Sequence, residues 1–121
     1  LPLNKIEYFF EKSQIEINKL LKGIKFHTFG HLGDSNIHFN LIEPDNLKDN
    51  FYDYEKELKQ IINKLIFELS GSISAEHGIG ILKRDEFNET KSQLEIELMK
   101  SVKKIFDPKN ILNQNKIFNS K

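Results

Sequence analysis

The chain has 121 residues, 38% hydrophobic and 30% charged, which is ordinary for a folded domain with a modest core. Its 18 basic residues equal its 18 acidic residues, which excludes the net positive charge that attracts proteins to nucleic acids or anionic membranes. The lack of cysteine excludes disulfides and thiolate metal ligands, and no apolar run approaches the ~20 residues of a membrane-spanning helix. We expect a cytoplasmic protein, or one bound peripherally to the inner face of a membrane.

The chain is predicted to open with a helix and a β-hairpin. The helix should begin near Asn4, a favourable N-cap residue, and end at Gly23. Its apolar face comprises Ile6, Phe9, Phe10, Ile17, Leu20 and Leu21. Two alternating runs follow, and their apolar faces comprise Ile24, Phe26 and Thr28, and then Ile37, Phe39 and Leu41. The turn-forming residues 31–35 join the runs, which therefore predict an antiparallel hairpin.

Beyond a loop at Pro44, the chain is predicted to contain two further helices separated by a glycine-rich segment. The first has a clear apolar stripe that ends before Gly71: Tyr54, Leu58, Ile61, Ile62, Leu65, Ile66 and Leu69. The segment GSISAEHGIG, residues 71–80, then combines small residues with Glu76 and His77. The last helix should start at Thr90, with Gln93 completing its capping box, and carry Leu94, Leu98, Val102 and Ile105. Asp107 and Pro108 end it.

This order of elements predicts an α+β fold, with helices packed on one face of a small antiparallel sheet. Two or three strands make a thin sheet, so we expect further strands from a missing segment or from another copy of the chain. The chain begins Leu-Pro-Leu without an initiator methionine. We therefore expect it to be the C-terminal part of a longer protein.

The motif GHLGDSNIH, residues 30–38, contains two histidines seven positions apart. If Phe39 faces the core, its neighbours His38 and Asn40 point to the other side of the strand. The predicted turn brings His31 back towards His38. The two imidazoles can then bind one metal ion, and a carboxylate would complete a three-ligand site with open positions.

Glu76 is the best candidate for that carboxylate, because the small residues around it leave it accessible. In an extended stretch, Glu76 and His77 would point in opposite directions. A bend at Gly78 and Gly80 would let Glu76 bind the metal while His77 contacts a bound substrate. The second motif could therefore supply both a third metal ligand and a histidine beside the bound substrate.

These residues also have ordinary structural explanations. The Asp, Ser and Asn at positions 34–36 are common turn formers, and a single strand histidine often has only a structural role. His27 alternates with the core residues and is interpreted as a surface residue. Lys83 could bind a carboxylate or lie on the solvated edge of a helix.

Together, GHLGDSNIHFN and SAEHGIG resemble the paired motifs of FAD-linked oxidases of the vanillyl-alcohol oxidase type. The chain most resembles the C-terminal segment of the D-lactate dehydrogenase, D-2-hydroxyglutarate dehydrogenase and glycolate oxidase D-subunit group. The opening LPL and the later FDPKNILNQNK extend this resemblance over essentially the whole chain. Members usually have glycine where this chain has Ser35 and Asn115. Left-handed backbone at these positions would cost Ser35 about 1 kcal/mol and would suit Asn115 better.

The resemblance implies that residues 1–121 are the C-terminal part of a cap domain and are inactive alone. FAD would be held by an N-terminal half that this sequence lacks, and would accept a hydride from a small 2-hydroxy acid. The implied ligands of a divalent metal ion, zinc or a related metal, are His31, His38 and Glu76. The implied substrate contacts are Asn40 and His77, with His77 as the catalytic general base.

Two other functions remain open at this point. The chain could be a vestigial or free-standing metal- or small-acid-binding module from a split gene. Metal-dependent hydrolysis by the same ligands is a further alternative. Because a cap packs on its flavin domain, we also expect an uncovered apolar surface and self-association, most simply as a two-fold dimer.

Overall fold

The structure, a computed structural model, describes residues 1–118 in two compact units. The first unit, Leu1–Ile73, contains helices α1 (Ile6–Leu20) and α2 (Glu55–Glu68) and strands β1 (Lys25–His31) and β2 (Asn36–Ile42). The second, from Ser74 onward, contains helices α3 (Arg84–Thr90) and α4 (Gln93–Phe106). The α+β class is confirmed, and residues 119–121 of the predicted cap segment lie outside the described residues. Within residues 1–118, no helix combines the length and the apolar character needed to cross a membrane.

The hairpin predicted from alternation is confirmed. β1 and β2 pair antiparallel, with Phe29 opposite His38 and His31 opposite Asn36. One face of the hairpin packs against the helices around four buried residues, namely Ile17, Leu21, Ile24 and Leu58. Phe26, Phe39 and Leu41 of the strands pack against this cluster. The helices of the first unit therefore cover one face of the sheet, as the sequence predicts.

Phe39 is the centre of an aromatic cluster on that inner face. Its ring centroid lies 5.2 Å from that of Phe9, 6.1 Å from Phe10 and 5.8 Å from Phe26. Phe9 is only 2% exposed. Aromatic pairs at such distances contribute about 0.5–1.5 kcal/mol each beyond their buried area. This packing fixes which face of β2 is turned to the core.

The N-terminus of α1 differs from the prediction. Asn4 lies inside a 3₁₀ turn, Leu3–Lys5, and Lys5 occupies the N-cap position without a side-chain hydrogen bond. The backbone N–H of Lys5 donates to the Pro2 carbonyl at 2.9 Å. Because this turn precedes the helix, Asn4 is too early in the chain to cap α1, and that prediction is wrong.

The end of α2 lies where the sequence predicts it. Ser70 adopts the left-handed backbone, with φ 58°, and the Gly71 N–H donates to the Ile66 carbonyl at 2.8 Å. A Cβ on residue 71 would lie 2.6 Å from the Leu1 side chain. Glycine at position 71 therefore lets the Leu1 side chain pack close to the backbone, whereas the residue with positive φ is Ser70.

The start of α4 was predicted wrongly. Ser92 caps the helix: its hydroxyl accepts from the Glu95 N–H at 3.3 Å, and the Glu95 carboxylate accepts from the Ser92 N–H at 3.0 Å. Thr90 instead ends α3, a short helix that was not predicted, and its hydroxyl donates to the Phe87 carbonyl at 2.9 Å. Because α3 already contains Thr90, the predicted capping box with Gln93 does not form.

The apolar stripe of α4 is exposed. Its predicted members, Leu94, Leu98, Val102 and Ile105, are each more than half exposed. Over its whole described length, α4 buries Ile96 alone. The stripe has the helical spacing of a packing surface but adds little to the core of its own unit.

Asp107 joins the end of α4 to the segment that follows. Asp107 is 6% exposed, and its carboxylate accepts hydrogen bonds from the Lys103 ammonium at 2.6 Å and from the N–H groups of Ile111 and Leu112, both at 3.0 Å. The hydrogen bond from Lys103 lowers the pKa of Asp107 most, the two backbone N–H groups lower it further, and desolvation opposes them. A buried carboxylate with three donors is a strong local constraint.

We predict that Asp107→Asn lowers the free energy of unfolding at neutral pH, with a difference from wild type that shrinks on acidification. The pKa of Asp107 is lower in the folded state, so its ionised form stabilises the fold above the unfolded pKa of about 3.9. That contribution is lost as the pH falls through the folded pKa. Urea unfolding from neutral pH to about pH 2 measures this difference.

The matched control for this substitution is Asp85→Asn, which removes the same charge from a side chain that is 79% exposed in α3. An Asp107→Asn difference that is independent of pH would contradict the assigned role of the ionised carboxylate.

Candidate metal centre

The candidate site lies on the outer face of the hairpin, opposite the helices. Because Phe39 packs in the core, its neighbours His38 and Asn40 lie on the outer face, as predicted. The register places His27 opposite Asn40. By strand parity this face carries His27, Phe29, His31, Asn36, His38 and Asn40.

His31 and His38 lie close together on this face. Their ring centroids are 6.3 Å apart and their planes are inclined at 72°. Zinc binds imidazole nitrogens at about 2 Å, which puts the centres of two rings that share one ion roughly 5–6 Å apart. A small side-chain adjustment would therefore let both rings bind one ion, and imidazole ligands suit zinc and its neighbours in the first transition row.

Phe29 also belongs to this cluster, and the sequence analysis missed it. Its ring is stacked on that of His38, with centroids 4.7 Å apart and planes inclined at 13°. On the same strand, two residues before Phe29, His27 has its ring centroid 5.7 Å from that of Phe29. Strand parity could have identified Phe29, because it is an aromatic residue at an outward position between two histidines.

The turn between the two histidines has tight steric limits. A 3₁₀ turn, Leu32–Asp34, leads into Ser35 with φ 57°, the left-handed backbone expected there. A Cβ on Gly30 would overlap the carbonyl oxygen of Asn36 on the opposite strand. A Cβ on Gly33 would meet no described atom within 4 Å. Close pairing at the end of the hairpin thus requires glycine at position 30 but not at position 33.

Glu76 and His77 lie in the glycine-rich loop of the second unit. Their side chains are 39% and 75% exposed, and the His77 Nε2 is 3.8 Å from the Glu76 Oε2. The loop bends at Gly78 and Gly80, which have φ values of 69° and 60°. This is the bend that the sequence predicts.

Lys83 is attached to the same loop. Its ammonium donates to the Ser74 hydroxyl at 3.2 Å, and that hydroxyl donates to the Gly78 carbonyl at 2.8 Å. Lys83 is half-buried. The loop that carries the candidate catalytic histidine therefore also holds a positive charge.

The predicted site residues are divided between the two units. The first unit brings together His31, His38 and Asn40 on one face, whereas Glu76 and His77 are neighbours in the second.

Comparison with known proteins gives consistent matches. Residues 1–117 match the family model of FAD linked oxidases, C-terminal domain. The chain is 37% identical over 119 residues to a D-2-hydroxyglutarate dehydrogenase of Stutzerimonas stutzeri, covering 98% of this chain and 26% of that protein. It is 36% identical over 119 residues to a D-lactate dehydrogenase of Archaeoglobus fulgidus, covering 97% and 25%.

A third relative is the glycolate oxidase subunit GlcD of Bacillus subtilis, 39% identical over 95 residues, with 78% of this chain and 20% of that protein covered. The chain thus spans about a quarter or less of the length of these relatives.

We predict that Gly30→Ala destabilises the first unit by about 1–3 kcal/mol, the range for overpacking, because its methyl group would overlap the facing strand. The matched control, Gly33→Ala, should change stability by no more than about 0.5 kcal/mol. Urea unfolding of both variants measures this difference. Equal effects would contradict the close strand approach at position 30.

Proposed function

The chain belongs to the family of FAD-linked oxidase C-terminal domains, and we propose that it forms the metal- and substrate-binding side of an active site in an FAD-dependent 2-hydroxy acid dehydrogenase or oxidase. The observation that carries this proposal is the histidine pair on the outer face of the hairpin. The names of its relatives support the substrate class. D-2-Hydroxyglutarate, D-lactate and glycolate each carry a hydroxyl group next to a carboxylate.

His31, His38 and Glu76 bind one divalent metal ion in this proposal, with zinc as the best fit. The spacing of the two imidazoles supports it, as does the accessible carboxylate of Glu76 in a loop of small residues. Two imidazoles and one carboxylate form a donor set that leaves a position open for substrate in catalytic zinc sites. The bound ion would supply Lewis acidity to the hydroxyl and carboxylate oxygens of the substrate.

His77 accepts the proton of the substrate hydroxyl in this proposal. Its side chain is 75% exposed, so its ring nitrogens can reach a bound ligand. Asn40 shares the outer face with the histidine pair, and its amide can both donate and accept hydrogen bonds to orient the substrate. FAD would supply the redox chemistry by accepting the α-hydrogen as a hydride.

The flavin is assigned to another part of the protein. Residues 1–121 form the C-terminal part of the cap domain in this proposal, and the N-terminal half of such proteins holds FAD. The coverage of the relatives supports this division, because this chain matches only about a quarter of their length. We also propose that the protein lies in the cytoplasm or is bound peripherally to the inner face of a membrane.

We predict that the 121-residue chain binds one zinc ion and that His38→Ala weakens binding by more than about 100-fold. Even groups that only orient a ligand contribute about 10–100-fold to metal affinity, so loss of a ligand should exceed that range. Calorimetric titration with zinc measures both values. His31→Ala and Glu76→Gln should change the affinity in the same direction.

The matched control is His27→Ala, which removes a histidine from the same face without removing a proposed ligand. Absence of zinc binding by the wild type, or an equal loss in His27→Ala, would contradict the assigned ligand set.

We also predict that the purified chain retains no FAD and does not oxidise D-lactate, because the flavin site belongs to the other half. Gel filtration after incubation with FAD, followed by an assay with an artificial electron acceptor, checks both points. A yellow and active preparation would overturn the proposed division of labour.

A free-standing metal- or small-acid-binding module is the second candidate. Ser35 favours it, because its φ of 57° is left-handed backbone that suits glycine better, and the resemblance to the oxidase family implies glycine at this position. This module would bind zinc but would not restore activity to a separately expressed FAD-binding half. The upstream coding sequence also separates the two candidates, since an adjacent FAD-binding half supports the first.

The exposed stripe of α4 predicts that the chain self-associates, most simply as a two-fold dimer. Leu98→Lys should shift sedimentation equilibrium towards the monomer, because it places a charge in the apolar surface. Met99→Lys, off the stripe on the same helix, is the matched control. A wild-type monomer at high concentration would contradict this prediction.

A further inference from the structure

We propose that Phe29 is a positioning residue that holds the imidazole of His38 in one orientation for metal binding. This inference rests on the proposed metal site, because it assigns a role to a neighbour of one of its ligands. The geometry points to it directly. The two residues are opposite each other in the strand register, and their rings are stacked 4.7 Å apart at 13°.

Packing in the core does not explain why a phenylalanine occupies position 29. It lies on the face opposite Phe39 and the helices and is 54% exposed. A half-exposed apolar side chain on the outer face gains less from burial than a core residue. The described ring contacts of Phe29 are with His38 and His27. Cross-strand aromatic pairs of this kind stabilise a hairpin.

Ring orientation matters to a histidine ligand because the ion must lie close to the ring plane, along the lone pair of one nitrogen. A surface imidazole that samples several rotamers loses conformational entropy when it binds an ion. Stacking on Phe29 restricts that freedom before binding. It also leaves the His38 ring steeply inclined to the nearby His31 ring, at 72°, so the two rings do not stack on each other.

The test uses Phe29→Leu, which removes the ring, and Phe29→Tyr, which keeps it. Phe67→Leu is the matched control, because it makes the same change in a similarly exposed residue of α2. Two measurements are made on each variant of the 121-residue chain. Nuclear magnetic resonance at one fixed pH gives the side-chain couplings of His38 and its ring-to-ring Overhauser effects in metal-free protein, and calorimetry gives the zinc affinity.

We expect one dominant His38 rotamer in wild type, Phe29→Tyr and Phe67→Leu, and rotamer averaging in Phe29→Leu. We expect Phe29→Leu to weaken zinc binding about tenfold, the scale for groups that orient a metal ligand. Phe29→Tyr keeps the ring, so it should keep both the His38 rotamer and the zinc affinity of the wild type. Thermal unfolding of each variant measures strand stability separately and distinguishes its loss from the loss of ring stacking.

An unchanged His38 rotamer in Phe29→Leu would overturn this inference whether or not zinc binds. Unchanged zinc affinity in that variant would also overturn it and would leave the metal site standing. Failure of the wild type to bind zinc would overturn the proposed metal site, while the rotamer measurement would still decide whether Phe29 orients His38.

Discussion

The packing of Phe39 decides where the candidate site lies. Its ring is held among Phe9, Phe10 and Phe26 on the inner face of the hairpin. Because strand neighbours point to opposite faces, this contact turns the residues on either side of Phe39 outwards. A slip of one residue in the register would exchange the two faces and bury polar side chains. The hydrophobic core of the first unit therefore determines which face of the hairpin carries the candidate site residues.

The two units hold their candidate residues by different means. The first has an apolar core and a hairpin whose close strand approach requires Gly30. The second buries little apolar surface on α4 and relies on hydrogen bonds, most clearly those accepted by Asp107. The loop with Glu76 and His77 bends where glycines permit positive φ. The proposed function rests on the histidine pair of the first unit and on the exposed Glu76 and His77 of the second.

The sequence predicted those features that follow from local periodicity. The alternation around Phe39 predicted the hairpin, whereas the left-handed backbone observed at Asn115, with φ 60°, was expected only from the resemblance to the oxidase family. Helix α3 was missed because it has one apolar residue, Phe87, and so no amphipathic period. The role of Asp107 depends on backbone donors beyond a proline, which spacing does not reveal. Spacing places Phe29 on the outer face, but its contact with His38 depends on the strand register.

The proposed function depends on one metal ion held by two imidazoles and one carboxylate of this chain. X-ray absorption at the zinc edge of the zinc-loaded chain detects these ligands, because imidazole rings give characteristic multiple scattering. We expect two imidazole ligands at about 2.0–2.1 Å, with oxygen ligands completing the site. His38→Ala should reduce the imidazole count to one. A coordination sphere of oxygen alone, or an imidazole count unchanged in that variant, would rule out the proposed ligand set.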